Sequence, residues 1–357
     1  IVNELFSFSS SILPMSFQMV FNSAYFAERI DTQYDLCKDI GLDMHVGSGV
    51  TYNFIQRITK ETISGINYLR YLDGDGTIHY FMKDPSRDNV YYYDEDGLGL
   101  KIEEYATNYY RLSDEQGNVL TFANGLLLWI ADETGNRYEL YYSKNGTLNN
   151  NGYPTGSGDR LEYIKLRNLG QNPVTVATFG YNSHTLNGTA ISNYLTSITD
   201  YAGSTYSLTY AGGKLTQIAR NGTQVAQYDM QTNGTYYLNQ LNAMRDVISG
   251  YSLNFTYTNH QITQVQEKVG STVGKKISID PLDNRYTEYT DHGNDQSVTS
   301  DDIVTSYAFD YAGRTINVYS TDSTGRIIGA SNALYQAASS NTDKQKNRIQ
   351  QTATIGV

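Results

Sequence analysis

Apolar and polar residues alternate with a period of two through most of the chain. Counting from Gly135, positions +3, +5 and +7 are Tyr138, Leu140 and Tyr142, with Glu139 and Tyr141 between them. The same count from Gly203 gives Tyr206, Leu208 and Tyr210, separated by Ser207 and Thr209. From Gly250 it gives Leu253, Phe255 and Tyr257, separated by Asn254 and Thr256. From Gly313 the set begins Ile316 and Val318, and from Gly117 it begins Leu120 and Phe122. A period of two sends successive side chains to opposite faces of a strand. One face is then apolar or aromatic and covered, the other polar and solvated, as antiparallel sheets allow. A slip of one residue would drive the apolar set into water, so the turn before each strand fixes its register.

Those turns share the phrase Asp-x-x-Gly. It occurs at Asp73, Asp94, Asp114 and Asp132, in steps of 21, 20 and 18 residues, and again at Asp200, Asp310 and Asp322. The repeat-defining pairs are Asp132 with Gly135, Asp200 with Gly203, and Asp310 with Gly313. A step of that length holds two strands and two turns. The far ends of the hairpins carry Asn145-Gly146, Gly212-Gly213 and Asn221-Gly222, dipeptides that accept the positive φ of a two-residue hairpin turn. Asn145, Asn187, Asn221 and Asn233 also begin Asn-Gly-Thr sequons, but the hairpin reading already accounts for them. The expected unit is strand, Asp-x-x-Gly turn, strand, Asn-Gly turn. Repeated, it makes an all-β, long antiparallel meander.

Three regions follow. Residues 1–67 are expected as a β segment preceding the repeats, with strands in Ser10–Phe26 and Val46–Ile58. Residues 68–330 hold the repeats, interrupted at 149–192 by a loop-like stretch around "NNNGYPTGSGDR", with strand patterning resuming at "LEYIKLR" and "VTVATFGY". Residues 331–357 read as a linker or the start of a following domain, because their Ser, Asn and Lys content argues against a helix.

Composition agrees. There are 33 Tyr against one Trp, 31 Gly and only 5 Pro, and Tyr suits a half-wet sheet face because its ring packs while its hydroxyl finds a partner. The net charge of −11 repels phosphate backbones, so nucleic acid is not an expected partner. The single cysteine, Cys37, cannot form an internal disulfide and reads as a buried structural thiol. No apolar run approaches the length of a membrane-spanning helix. The start at Ile1 reads as a segment of something longer.

The phrases "DETGNRYELYYSKNGTL", "LTSITDYAGSTYSLTYAGGKLTQI" and "SYAFDYAGRTINVYSTDSTGRIIGAS" resemble the RHS/YD-repeat family, in which a Tyr-Asp turn joins successive strands. "LPMSFQMVFNS" and "IGLDMHVGSGVTYNFIQRI" resemble the segment that precedes the repeats in bacterial members, with Asp43-Met44 where Gly-Trp is usual. The resemblance implies a sheet spiralling into part of a hollow shell or open scaffold. It further implies a secreted or surface-attached bacterial protein of the kind that includes polymorphic toxins, wall-associated proteins and the animal teneurins. Toxin members close the shell with a self-cleaving Asp-Pro-x-Gly-Leu site. "DPLDN" at Asp280 lacks the Gly-Leu, so neither processing site nor enclosed effector is expected within the chain.

The candidate chemistry is sparse. Asp73/Asp75, Asp94/Asp96 and Asp301/Asp302 are carboxylate pairs, but a glycosidase needs its two acids facing each other across a cleft, and these sit at turn tips. "DGDGT" has the opening of a calcium loop without the flanking helices or the terminal Glu. His45, His79, His184, His260 and His292 show no metal-ligand spacing. The expectation is therefore a non-enzymatic structural module without cofactor, catalytic residue or metal. Its partners would be other segments of the same parent protein, a second copy meeting it at a sheet edge, or an enclosed effector. An adhesin-like module that binds carbohydrate, by stacking tyrosines on it, or protein at a cell surface is the alternative.

Overall fold

The computed structural model describes residues 2–8, 15–21, 42–83, 90–94, 99–144, 147–148, 160–186, 188–231, 240–258, 261–280, 285–290, 302–309, 315–335 and 348–355. Asp310, Gly313, Cys37, His260, His292 and the loop 149–159 lie outside them. All regular structure among the described residues is β, as expected, and every ladder between named strands is antiparallel. Among the described residues no helix is long and apolar enough to cross a membrane. The chain divides into two compact units, Ile1–Thr223 and Gln224–Val357.

In the first unit, β1 (Val2–Phe8), β2 (Met15–Val20) and β3 (Thr51–Tyr52) form a small sheet in that order. Only two residues of β3 pair with β2, at Met19↔Tyr52 and Val20↔Thr51. Asn53 then continues the ladder with its side chain. Its Oδ1 accepts the Gln18 N–H at 3.1 Å and its Nδ2 donates to the Ser16 carbonyl at 2.8 Å. A carboxamide carries the same donor and acceptor as a peptide unit, so it can stand in for one.

Eight strands follow as consecutive hairpins: β4 (Arg57–Ile63), β5 (Ile66–Leu72), β6 (Ile78–Lys83), β7 (Tyr91–Asp94), β8 (Lys101–Ala106), β9 (Tyr109–Ser113), β10 (Val119–Ala123) and β11 (Leu126–Ala131). Each pairs with the next, and β11 returns to β4 at Leu126↔Arg57, with the Ile58 N–H donating to the Gly125 carbonyl at 3.2 Å. The eight strands thus close on themselves. An eight-stranded ring leaves an interior that side chains can fill. Ile58, Leu69, Phe81, Ile102 and Phe122 fill it, each at most 1% exposed. β4 and β8 stand four strand steps apart, roughly 19 Å along the sheet. Yet Lys60 Nζ lies 2.8 Å from Glu104 Oε1, which places this pair across the interior rather than along the wall.

The hairpins continue through β12 (Arg137–Lys144), β13 (Thr147–Leu148), β14 (Arg160–Arg167), β15 (Val174–Leu186), β16 (Thr189–Asp200), β17 (Thr205–Ala211) and β18 (Lys214–Arg220). β14, β15 and the start of β16 occupy most of what the sequence presents as a loop-like interruption. Bulges that bend an antiparallel pair recur along this stretch, at Glu162, Val176 and Thr196 among others.

The leading segment packs against these strands. Phe6 stacks on Phe17 (4.4 Å between ring centroids) and on Tyr206 (5.0 Å), and Phe54 lies 5.1 Å from Phe179. Phe17, Met19, Met44, Val46 and Tyr52 are fully buried. An array stabilised only by contacts between neighbouring hairpins would lack such a core. Here the core lies between residues that precede the repeats and the strands of the repeats themselves.

The second unit holds the rest of β19 (Thr223–Met230), then β20 (Leu241–Asp246), β21 (Tyr251–Thr258), β22 (Gln261–Val269), β23 (Thr272–Asp280), β24 (Arg285–Thr290), β25 (Ile303–Phe309), β26 (Thr315–Asp322), β27 (Ile327–Tyr335) and β28 (Arg348–Ile355). They pair in sequence order. The tail read as a linker completes β27 and supplies β28, which pairs with it from Gly329↔Ile355 to Tyr335↔Arg348.

Candidate functional site

Five Asp-x-x-Gly turns can be followed in full, and they share one hydrogen-bond plan. The Asp N–H donates to the carbonyl four residues on, and the Gly N–H donates back to the Asp carbonyl. For Asp132 these distances are 3.0 and 3.2 Å, for Asp200 2.9 and 3.0 Å, and for Asp322 3.0 and 2.9 Å. Asp73 and Asp114 repeat the plan. The Asp carboxylate closes it from inside: Asp132 Oδ1 accepts the N–H of Thr134 at 2.9 Å and of Asn136 at 3.0 Å. Gly135 and Gly203 sit at φ +89° and +81°, where a Cβ is disfavoured. This is a three-residue hairpin loop ending in a left-handed residue. Asp246 begins a looser version one residue longer, its carbonyl receiving the Gly250 N–H at 3.0 Å. The described far-end turns behave as expected, with Asn221-Gly222 and Gly212-Gly213 both at positive φ. Asn124-Gly125 is a further turn of that kind, which the dipeptide alone would have signalled.

The positions counted from glycine differ between copies: Ile316, expected on the covered face, is exposed. Tyr138, Leu140, Tyr142, Tyr206 and Leu208 are buried, and Tyr210 is half-buried. The alternate face differs between repeats. Ser207 and Thr209 are exposed, whereas Glu139 and Tyr141 are buried. The physical reason lies in the neighbours. Glu139 accepts Arg137 Nε at 2.8 Å and both Arg167 Nε (2.7 Å) and Arg167 Nη2 (3.1 Å), and Tyr141 Oη donates to its other oxygen at 2.7 Å. Tyr163 stacks on Tyr141 at 4.7 Å. Burial alone would raise the Glu139 pKa, but the hydrogen bonds from Arg167, Tyr141 and Arg137 outweigh it and hold the carboxyl below its usual value.

In three of the counted copies the third shared-face position is a tyrosine, and it makes a recurring bond. Tyr142 Oη donates to the Leu127 carbonyl (3.2 Å), Tyr210 Oη to that of Leu195 (2.7 Å) and Tyr257 Oη to that of Leu241 (2.8 Å). Tyr181, outside the counted repeats, does the same to Leu161 at 2.5 Å.

The acids nearest to forming a site are Asp73 and Asp75. Asp73 Oδ1 accepts the N–H groups of Asp75 (3.0 Å) and Thr77 (2.9 Å), and its Oδ2 lies 3.0 Å from His79 Nε2. Burial pushes the Asp73 pKa up. Burial also acts on Asp75, but hydrogen bonds with Asp73 and Thr77 bring it below the ordinary carboxylate range. Beside them, Tyr71 Oη donates to Gln56 Oε1 at 2.6 Å, and burial drives its phenol pKa far up. A cleft of about 420 Å³ adjoins them, lined by Met15, Gln18, Asn53, Gln56, Asp75 and Ile130. Asp73 Oδ1 and Asp75 Oδ1 accept the turn's own N–H groups, as turn carboxylates do, while Asp73 Oδ2 faces His79. Among the described residues no group of three or more His, Cys, Asp or Glu is arranged to hold a metal.

No protein-family model and no curated protein sequence matches the chain. Several solved structures do. The crystal structure of TcdB2-TccC3-TEV is 9% identical with a TM-score of 0.24. A Photorhabdus luminescens Tc holotoxin pore with a mutated TccC3 is also 9% identical, with a TM-score of 0.24. TcdB2-TccC3 without its hypervariable C-terminal region is 10% identical, with a TM-score of 0.25. Each match covers 82% of this chain and 20% of the solved chain, so the chain spans about a fifth of the length of the solved chains it is similar to.

Proposed function

We propose that the chain is a non-enzymatic wall module of the RHS/YD-repeat type, forming part of a shell or scaffold in a larger secreted or surface-attached bacterial protein. The observation that carries this reading is the repeated turn. The same Asp-centred hydrogen-bond plan recurs in both units, and each described copy feeds a strand into a sequential antiparallel ladder. Asp73, Asp114, Asp132, Asp200 and Asp322 serve turns and Glu139, Glu104 and Asp229 ion pairs, which supports a structural rather than a catalytic role. Cryo-electron microscopy of the whole parent protein tests this. The expected result is a wall of curved sheet enclosing a cavity, with these strands in the wall. A compact domain tethered by a flexible linker, with no cavity around it, would sink the proposal.

A second reading, an adhesin-like module, draws on the outward face of β7–β9. There Arg111 lies 4.2 Å from the ring centre of Tyr105, Lys101 lies 4.5 Å from that of Tyr91, and Tyr105 is 37% exposed. Aromatic and cationic side chains presented together are suited to sugar stacking and polar recognition. A glycan array with Tyr105→Ala as control separates the readings: binding lost in the variant favours the adhesin, and no binding by either removes it.

A further inference from the structure

The tyrosine bonds coincide with breaks in the ladder. β11 and β12 pair only at Trp129, Ile130 and Ala131 with Glu139, Tyr138 and Arg137, and β16 and β17 pair only over Ser197–Thr199 with Thr205–Ser207. Beyond those three positions the ladders stop, and each pair becomes a fork bridged by a tyrosine hydroxyl. The acceptor residue in every case precedes a bulged residue on its other side. Leu127 precedes Leu128, Leu161 precedes Glu162, Leu195 precedes Thr196 and Leu241 precedes Asn242. A bulge leaves backbone groups out of register, and the phenol satisfies one of them.

Two of these forks receive another stretch of backbone. In the β11/β12 fork it is the start of β4, through Leu126↔Arg57 and the bond from Ile58 to Gly125. In the β16/β17 fork it is His45, whose N–H donates to the Asn193 carbonyl (2.9 Å) and whose carbonyl accepts the Leu195 N–H (2.8 Å). The bridging tyrosines also meet the incoming segment itself. Tyr210 Oη lies 3.5 Å from the Val46 carbonyl, and Tyr181 Oη lies 3.9 Å from Met44 Sδ. Gly47, at φ +97°, brings its backbone so near that an added Cβ would stand 3.0 Å from Tyr210 Cε1.

We infer that the forks are strand-docking sites and that Tyr142 and Tyr210 are positioning residues which hold them open, their partner being the segment 42–58 of the same chain. The bulge bends one strand away, the hydroxyl anchors the carbonyl so exposed, and the gap accepts the backbone of residues that precede the repeats. This assignment concerns how the repeats capture that segment. It stands whether or not the assembled protein encloses a cavity.

Hydrogen exchange on the full chain, read by mass spectrometry with fragment-level resolution, tests it. Tyr210→Phe should raise exchange at His45 and Leu195 about three- to tenfold, the range for one lost hydrogen bond. It should leave the Asp200 turn unchanged. Tyr142→Phe should do the same at Ile58 and spare the Asp132 turn, and Tyr257→Phe should leave His45 and Ile58 as they were. Gly47→Ala keeps every hydroxyl but crowds the β16/β17 fork, and should raise exchange at His45 and Leu195 alone. Unchanged exchange at the forks in both tyrosine variants would overturn the inference. So would an equal rise at forks and turns, which would show general loosening.

Discussion

Arg167 on β14 grips Glu139 on β12 with two parallel hydrogen bonds, although Glu139 is 0% exposed. Arg137 and Tyr141 complete the shell around it. Removing one partner of a buried pair leaves the other desolvated and unmatched, which costs about 3–5 kcal/mol where burial is complete. The two arginines keep some water contact, so Glu139→Ala is expected to cost about 2–3 kcal/mol. Glu139→Gln, which keeps the volume and an acceptor, should cost less. Urea denaturation of the two variants checks the order; equal midpoints for wild type and Glu139→Ala would refute it.

The same carboxylate sets a pH dependence. Its folded pKa lies below the ordinary 4.5. The stabilisation is therefore complete above the unfolded value and is lost as pH falls through the lower folded one. Asp132 acts in the same direction, since hydrogen bonds from Asn136 and Thr134 outweigh burial. Asp73 acts oppositely, because burial raises its pKa and protonation relieves it. The melting temperature should fall below pH 4.5, and more shallowly in Glu139→Gln than in wild type. A parallel decline in both would show that Glu139 does not contribute to the slope.

Within a turn, carboxylate and glycine are expected to be separable. Asp132→Ala removes the acceptor for two N–H groups, and the loss should resemble that of a helix cap, about 1 kcal/mol. Gly135→Ala meets no atom within 4 Å, so its cost is the left-handed backbone alone, about 1 kcal/mol. Asp132→Asn should retain most of the stability. Thermal denaturation of the three variants decides, and a loss in Asp132→Asn as large as in Asp132→Ala would show that charge, not geometry, holds the turn.

Much of this was legible in the sequence. Asp132 and Gly135 announce a turn because the turn needs a short acceptor at one end and positive φ at the other. Tyr138, Leu140 and Tyr142 announce a buried face because a strand repeats every two residues. The burial of Glu139 was not legible, since the Arg167 that makes it possible arrives from another hairpin. Nor were the forks. The partner of Tyr142 is the Leu127 backbone carbonyl, which every residue carries, and the bulge beside it depends on the neighbouring strand. The core under the leading segment was missed for a related reason: Phe6 finds Tyr206 only after the sheet has curved.

Gly74 offers a test of packing between distant parts of the first unit. A Cβ there would stand 2.6 Å from the Asn53 carbonyl oxygen, backbone against backbone. Gly74→Ala should therefore cost more than Gly65→Ala, whose Cβ would meet nothing within 4 Å. A difference of about 1–2 kcal/mol is expected, the usual penalty of overpacking. Denaturation midpoints in urea give the comparison, and a larger loss at Gly65 would place the strain in the dihedral instead.

β11 serves two neighbours on one edge, β4 near Leu126 and β12 from Trp129 onward. That sharing gives the strip a direction. A plain row of hairpins has two equivalent ends, and new hairpins could be added at either. Here the eight strands β4–β11 are spent in meeting themselves, and the edge that β4 offers at Arg57 is already taken. From that shared edge β12 carries the sheet onward. The closing contact also joins residues 57 and 126, a non-local pairing whose loop-closure cost falls once the strands between them have paired, so the ring is expected to lock late in folding.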